Sequence, residues 1–195
     1  MPNSSAASLT YWQTKKYRLP RLTVTGRPSY SGLKWREVGK NATGMFRGAS
    51  KVTLDSKGRL AIPSRYRERL NSRCEGHLVV TVDRDHCLLI YPLPDWEEIQ
   101  RKLDRLPSFN KLARETQRLM VGYATDLELD GHGRILLSQA LCEFADLDKQ
   151  TMLIGQGNKF ELWDEERWNQ RRDKWRSSDD LDDEDLPPEL ESLSL

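Results

Sequence analysis

Shifted by 75 residues, the chain lies on itself. Ala49 and Leu54-Asp55-Ser56-Lys57-Gly58-Arg59-Leu60 fall on Ala124 and Leu129-Asp130-Gly131-His132-Gly133-Arg134-Ile135. The apolar positions follow, with Val52 on Leu127 and Ile62 on Leu137, and Ser64 has a helix-capping counterpart one residue early in Ser138. At a shift of 72, Leu88 falls on Phe160, Ile90 on Leu162, Tyr91 on Trp163 and Trp96 on Trp168. The three-residue slip is read as a shorter loop after the first helix of the second copy. A duplicated unit of this size cannot bury its apolar face alone. The two halves are therefore expected to pack on each other about a pseudo-two-fold axis.

Within the first copy, Lys51 to Asp55 alternate, with Val52 and Leu54 on one face. Ser56-Lys57-Gly58 predicts a tight turn, and Gly58 can take a positive φ there. Arg59-Leu60-Ala61-Ile62 alternates again and sends Arg59 outward. Pro63 ends the strand, and Ser64 is a candidate cap for a helix over 65–70 buried through Tyr66 and Leu70. A second strand pair is expected over 78–82 and 88–91, turning at 83–86. Asp95 and Glu98 have the spacing of a capping box for a helix from Trp96. Between the halves, Trp96, Ile99, Leu103 and Leu106 form one helical stripe. Phe109, Leu112, Ala113, Thr116, Leu119 and Met120 form another, with Ser108 as candidate cap and Gly122 as stop. Gly155-Gln156-Gly157 reads as a turn between two strands.

The net charge of +1 hides three unlike segments. Residues 1–44 hold eight Lys/Arg against Glu37, residues 177–195 hold eight acids and no base, and the stretch between carries +2. Neither end shows helical or strand periodicity, so both are expected to lie outside the folded part. The onset of patterning at Met45 points to a start there; the other readings of 1–44 are a basic DNA-binding arm and a transit peptide. The expected organisation is a basic extension (1–44), a first repeat (45–107), a linker helix with the second repeat (108–176) and an acidic tail (177–195). No apolar run approaches the ~18 residues of a membrane span. Cys74, Cys87 and Cys142 suit reduced thiols of a cytoplasmic protein. Cys74 and Cys87 with His77 and His86 match no common zinc spacing, so no metal is expected.

Asp-x-x-Gly-Arg stands at equivalent places in both halves, as Asp55 to Arg59 and Asp130 to Arg134. In a turn between strands, the carboxylate can accept turn amide hydrogen bonds or clamp the arginine. Either the pair only holds the hairpin, or it aims an arginine at a partner. Residues 45–73 carry Arg47, Lys51, Lys57, Arg59, Arg65, Arg67, Arg69 and Arg73 against Asp55 and Glu68, a local +6. Residues 121–145 carry Arg134 against four acids, a local −3. Arginine-rich surfaces suit phosphates and guanine edges, so the first wing reads as built to meet DNA. No phosphate-binding glycine loop, GxSxG or HExxH is present, and the three histidines have no nucleophile or carboxylate partner in sequence. An enzyme is not expected, and no cofactor is implied. Trp96, Trp163, Trp168 and Trp175 read as core or interface.

Several segments together resemble the MraZ family. They are Met45-Phe46-Arg47-Gly48, Leu54 to Leu60, Pro63-x-x-Tyr66-Arg67, Tyr91-Pro92-Leu93-Pro94-x-Trp96 and Lys159-Phe160-Glu161-Leu162-Trp163, and the likeness runs from Met45 to about Trp175. The resemblance implies an α+β fold, a tandem pseudo-repeat swapped-hairpin β-barrel with short helices, related to AbrB and SpoVT DNA-binding domains. It also implies a transcriptional regulator of the division and cell-wall gene cluster, associated with the nucleoid. Such a regulator binds direct repeats in its own promoter, in double-stranded DNA, as a ring-shaped homo-oligomer. By position, Arg59, Lys57 and Arg47 are the expected DNA contacts, with Arg134 a weaker one because His132 replaces Lys57 there. Asp55, Gly58, Asp130 and Gly133 are expected to orient the hairpins. An antitoxin-like protein with a partner-binding acidic tail is the other reading.

Overall fold

The computed structural model describes residues 45–177. The expectations for the basic extension, and for the acidic tail beyond Ser177, lie outside them. The order is β1 (Phe46–Thr53), β2 (Arg59–Ala61), α1 (Ser64–Cys74), β3 (His77–Asp83), β4 (Cys87–Pro92), α2 (Leu93–Asp104), α3 (Lys111–Met120), β5 (Thr125–Glu128), β6 (Arg134–Leu136), α4 (Gln139–Phe144), β7 (Gln150–Gly157), β8 (Lys159–Asp164) and α5 (Glu165–Ser177). The fold is α+β and every strand pair is antiparallel.

Six strands form one sheet in the order β1-β7-β8-β4-β3-β5, and β2 pairs with β6 in a separate two-stranded ribbon. The halves are thus interlocked. β1 of the first copy pairs with β7 of the second, and β5 of the second pairs with β3 of the first. The register locates the symmetry axis twice. In the ribbon, Leu60 faces Ile135, its own counterpart in the repeat. In the sheet, Leu89 faces Glu161, again its own counterpart at a shift of 72. A two-fold axis is the one operation that places equivalent residues opposite each other in antiparallel strands.

Apolar side chains fill both faces of the sheet. One cluster, enclosed by the ribbon, α1 and α4, holds Phe46, Leu54, Leu60, Ile62, Tyr66, Leu70, Ile135, Leu137, Leu141 and Phe160. The other, under α2, α3 and α5, holds Val79, Leu89, Tyr91, Trp96, Leu103, Met152 and Trp163, with Trp168 packed against it. In the first cluster, Phe46 and Phe160 stack with centroids 4.2 Å apart, and the Tyr66 ring meets Phe160 at 4.9 Å. The Tyr66 hydroxyl donates to the Arg47 carbonyl at 2.7 Å, which ties α1 to β1.

Several local expectations are corrected. Ser64 is the first helical residue rather than a cap, since Pro63 takes the cap position without a side-chain bond, and the helix runs on to Cys74. Pro92 takes the cap position of α2 in the same way, and Asp95 receives Arg73 at 2.5 Å instead of closing a capping box. Asn110, not Ser108, caps α3 by accepting the Ala113 amide at 3.1 Å. Of the expected α3 stripe only Ala113 is buried, and Phe109 and Leu112 are exposed. Gly155 and Gln156 lie within β7, opposite Gly48 and Arg47, and a Cβ on Gly155 would stand 2.6 Å from the Arg47 nitrogen. The slip between copies has two origins. The second copy has a shorter helix, six residues in α4 against eleven in α1, partly offset by a longer connection to the next strand, 145–149 against 75–76. It also has a tighter turn, because Gln156 pairs with Lys159 whereas Asp83 pairs with Cys87.

Because Leu60 and Ile135 are buried partners on the axis, Leu60→Ala should cost ~2–5 kcal/mol in a urea titration, and Ile135→Ala a similar amount. The double substitution should be non-additive by ~0.5 kcal/mol or more. Fully additive losses would show that the two side chains do not share one packing site.

Candidate nucleic-acid interface

Asp55 leaves β1 and turns the chain toward β2. Its Oδ1 accepts the backbone amides of Lys57 and Arg59, both at 2.9 Å, and its Oδ2 accepts Arg59 Nε at 2.7 Å. The backbone closes around the same residues, with Gly58 N–H donating to the Asp55 carbonyl and Asp55 N–H to the Arg59 carbonyl, each at 3.0 Å. The second copy repeats the cage. Asp130 Oδ1 accepts His132 N–H at 2.8 Å and Arg134 N–H at 2.9 Å, and Oδ2 accepts Arg134 Nε at 2.8 Å. Arg134 Nη2 also reaches Oδ2 at 2.8 Å. Both readings of the Asp–Arg pair therefore apply at once: it holds the turn, and it fixes the direction of an arginine.

These bonds favour the ionised carboxylate. Asp55 is held down to about 2, first by the Arg59 backbone amide, which outweighs the opposing desolvation, and further by the Arg59 side chain and the Lys57 amide. Asp130 is held at about 2, first by the Arg134 side chain and then by its amide. Gly58 and Gly133 complete the turns with φ of 80° and 73°. Each turn is also gripped by the other repeat. Leu137 N–H donates to the Gly58 carbonyl at 2.8 Å, and Ile62 N–H donates to the Gly133 carbonyl at 2.9 Å. A Cβ on Gly58 would stand 2.7 Å from the Leu137 oxygen, and one on Gly133 would run into the Arg67 side chain.

The ribbon brings the two arginines to one face. Leu60 and Ile135 point into the core, so Arg59, Ala61, Arg134 and Leu136 share the outer side. Arg59 is opposite Leu136 and Ala61 is opposite Arg134, so the arginines are diagonal neighbours, a relation that puts residues ~7–8 Å apart. The basic and the acidic wing are thereby joined: their arginines share one face, with the two turns at opposite ends of the ribbon.

The structure also sorts the basic cluster of 45–73. Arg65 donates to Ser50 Oγ and to the Tyr66 hydroxyl, both at 2.6 Å, and its guanidinium lies 4.6 Å from the Tyr66 ring centre. Arg67 donates to the Ile62 carbonyl at 2.6 Å, and Arg69 to the Met45 carbonyl at 2.5 Å. Arg73 pairs with Asp95 and Lys51 with Glu165. These five side chains tie elements together. Lys57 is exposed at the tip of the first turn, beside Arg59. Arg47 is exposed too, but it sits near the start of β1, ~20 Å along the strand from its end at ~3.3 Å per residue. The structure thus joins Lys57, Arg59 and Arg134 and leaves Arg47 apart. Sequence reasoning missed that Arg67 reaches the second turn and that Leu136 lies beside the first; both follow from the exchange of strands.

Cys74 and Cys87 belong to different core clusters, and His77 and His86 lie at opposite ends of the β3–β4 hairpin. Burial pushes all three thiols up. Among the described residues, no helix is long and apolar enough to cross a membrane.

Two interlocked repeats, each turned by an Asp-x-x-Gly-Arg cage and sharing one exchanged ribbon, define a tandem swapped-hairpin protein. The comparisons agree with that class. The family model described as "MraZ protein, putative antitoxin-like" matches residues 45–119 and again 120–186. The chain belongs to the MraZ family. It is 56% identical over 153 residues to the "Transcriptional regulator MraZ" of Thioalkalivibrio sulfidiphilus, covering 77% of this chain and 100% of that protein. It is 55% identical over 152 residues to the protein of the same name from Halorhodospira halophila, and 51% identical over 152 residues to that of Coxiella burnetii, with the same coverage.

A carboxyl-carbon NMR titration should find Asp55 and Asp130 with midpoints near 2, whereas an unfolded chain titrates near ~3.9. Their folded values lie below the unfolded one, so their contribution to stability is complete above about pH 4 and is lost as pH falls from about 4 to 2. Midpoints near 4 would mean that the cages are open in solution.

Proposed function

We propose that this chain is a DNA-binding transcriptional regulator whose ribbon face, led by Arg59 and Lys57, contacts double-stranded DNA. The observation that carries the reading is Arg59. It lies at the start of the ribbon strand β2, its Nε is held by Asp55 at 2.7 Å, and its side chain stays 38% exposed. A pre-oriented guanidinium loses little freedom on binding, and arginine is the residue suited to a guanine edge or a phosphate. The names of the relatives, transcriptional regulators over their whole length, support the same reading. Asp55, Gly58, Asp130 and Gly133 act as hairpin-orienting residues. Arg134 is the weaker contact, because both its Nε and Nη2 are engaged by Asp130. Arg47 acts as a separate, supporting contact.

The finer reading is that identical ribbons, repeated around a ring-shaped homo-oligomer, engage direct repeats in the promoter of the division and cell-wall gene cluster. Such a protein works in the cytoplasm on nucleoid DNA. One ribbon offers few contacts, and several at fixed spacing add through effective concentration. The exposed Phe109, before α3, and Leu112, in its first turn, supply apolar surface for contacts between copies. The antitoxin-like reading uses the same ribbon and adds a protein partner for the acidic tail.

Light scattering without DNA should give a mass several times 22.7 kDa; a clean monomer would defeat the avidity argument. In an anisotropy titration, Arg59→Ala should keep its melting temperature and lose ~1–3 kcal/mol of affinity per site engaged. If phosphate is its partner, the salt slope should fall by ~1. Arg134→Ala should lose less affinity and more stability. The reverse pattern would exchange the roles assigned to the two arginines.

A further inference from the structure

The ribbon face is less symmetric than its arginines. The repeat maps Arg59 to Arg134 and Asp55 to Asp130, but it maps Lys57 to His132 and Ala61 to Leu136. Leu136 is 57% exposed, directly opposite Arg59, and its Cδ1 would stand 3.9 Å from a Cβ on Gly58. One end of the ribbon therefore gathers Lys57 and Arg59 from the first repeat and Leu136 from the second. The other end has Arg134, His132 and the short side chain of Ala61.

A single exposed leucine is ordinary on a protein surface; the position of this one is not. It stands in register with Arg59, on a two-stranded ribbon of the kind that a major groove admits. Cross-strand partners have Cβ atoms ~4.5–5.5 Å apart, between one and two of the ~3.4 Å steps from one base pair to the next. The apolar group that a base edge offers in that groove is the 5-methyl of thymine. Resting on the DNA reading above, we infer that Leu136 packs against the methyl group of a thymine next to the base pair met by Arg59. Ala61 is too short to make the equivalent contact beside Arg134. The two ends of the ribbon therefore read DNA differently, and each ribbon lies on its site in one orientation. Sites repeated head to tail then suit identical ribbons better than inverted ones.

The experiment uses the full-length chain and a pool of random duplexes, with the enriched sequences read after selection. The best duplex is then resynthesised with each thymine in turn replaced by deoxyuridine, which lacks the methyl group. One replacement, on one side of the base pair that Arg59→Ala makes indifferent, should weaken binding about fourfold, the value of one buried methyl. Leu136→Ala should show that loss already on unmodified DNA and no further loss with deoxyuridine. The wild-type chain on modified DNA needs no substitution, so a folding defect in the variant cannot hide the answer. Uniform affinity across all deoxyuridine duplexes would overturn the inference. So would a Leu136→Ala variant that keeps the same deoxyuridine sensitivity, or one whose oligomer mass falls, which would place Leu136 between copies. In each of those cases enrichment of a sequence still supports the DNA reading. A pool that yields no enriched sequence removes that reading and the inference with it.

Discussion

Leu137 donates its backbone N–H to the Gly58 carbonyl, and Ile62 donates its own to the Gly133 carbonyl. These two bonds lock each turn to the strand of the other repeat, and the rest of the structure depends on that exchange. The Asp55 and Asp130 cages satisfy the turn amides locally, so β2 and β6 keep their ladder groups for each other. Each is only three residues long, shorter than a strand that could hold a hairpin unaided. Together they close the open side of the core cluster that contains Leu60, Ile62, Ile135 and Leu137. Neither repeat can bury that cluster alone, because each lacks the strand that covers it.

The exchange also redistributes charge. Counted along the chain, the first repeat is strongly basic and the second acidic. In space, Arg67 of the first repeat lies against the turn of the second, and Leu136 of the second lies against the turn of the first. Arg65 is engaged by β1, Arg69 by the Met45 carbonyl just before it, and Arg73 and Lys51 by carboxylates of other elements. The exposed cations on the shared face reduce to Lys57 and the two caged arginines. A count of charges therefore overstates how much of the basic cluster is available to a partner, and it misplaces the boundary between wings.

The residues responsible for the turns were legible before any coordinates. Asp-x-x-Gly-Arg carries its own geometry, because a carboxylate two and four residues before the amides it accepts, with glycine at a positive φ, closes locally. Strand and helix positions followed from alternation and the wider helical stripe. Helix starts were less legible. Ser64, Asp95 and Ser108 each had a plausible capping pattern, but Pro63 and residue 92 took the cap positions at two helices and Asn110 at the third. Caps depend on the angle at which the chain enters the helix, and packing sets that angle. Phe109 and Leu112 fitted an apolar stripe by spacing and still lie exposed, because among the described residues no element covers that side of α3.

By itself, the sequence determined that the chain is a duplication, that each copy turns at a caged Asp–Arg pair, and that Arg59 and Arg134 point away from the core. These are consequences of local bonding and of periodicity, which act over a few residues. Only the tertiary structure decided which strand pairs with which. Hairpins that close on themselves and hairpins that exchange satisfy the same alternation, since both bury Leu60 and Ile135 and expose their neighbours. What separates them is long-range: the pairing of Leu60 with Ile135 and of Leu89 with Glu161. That pairing set both arginines on one ribbon, put Leu136 beside Arg59, and left Arg47 at the far end of β1.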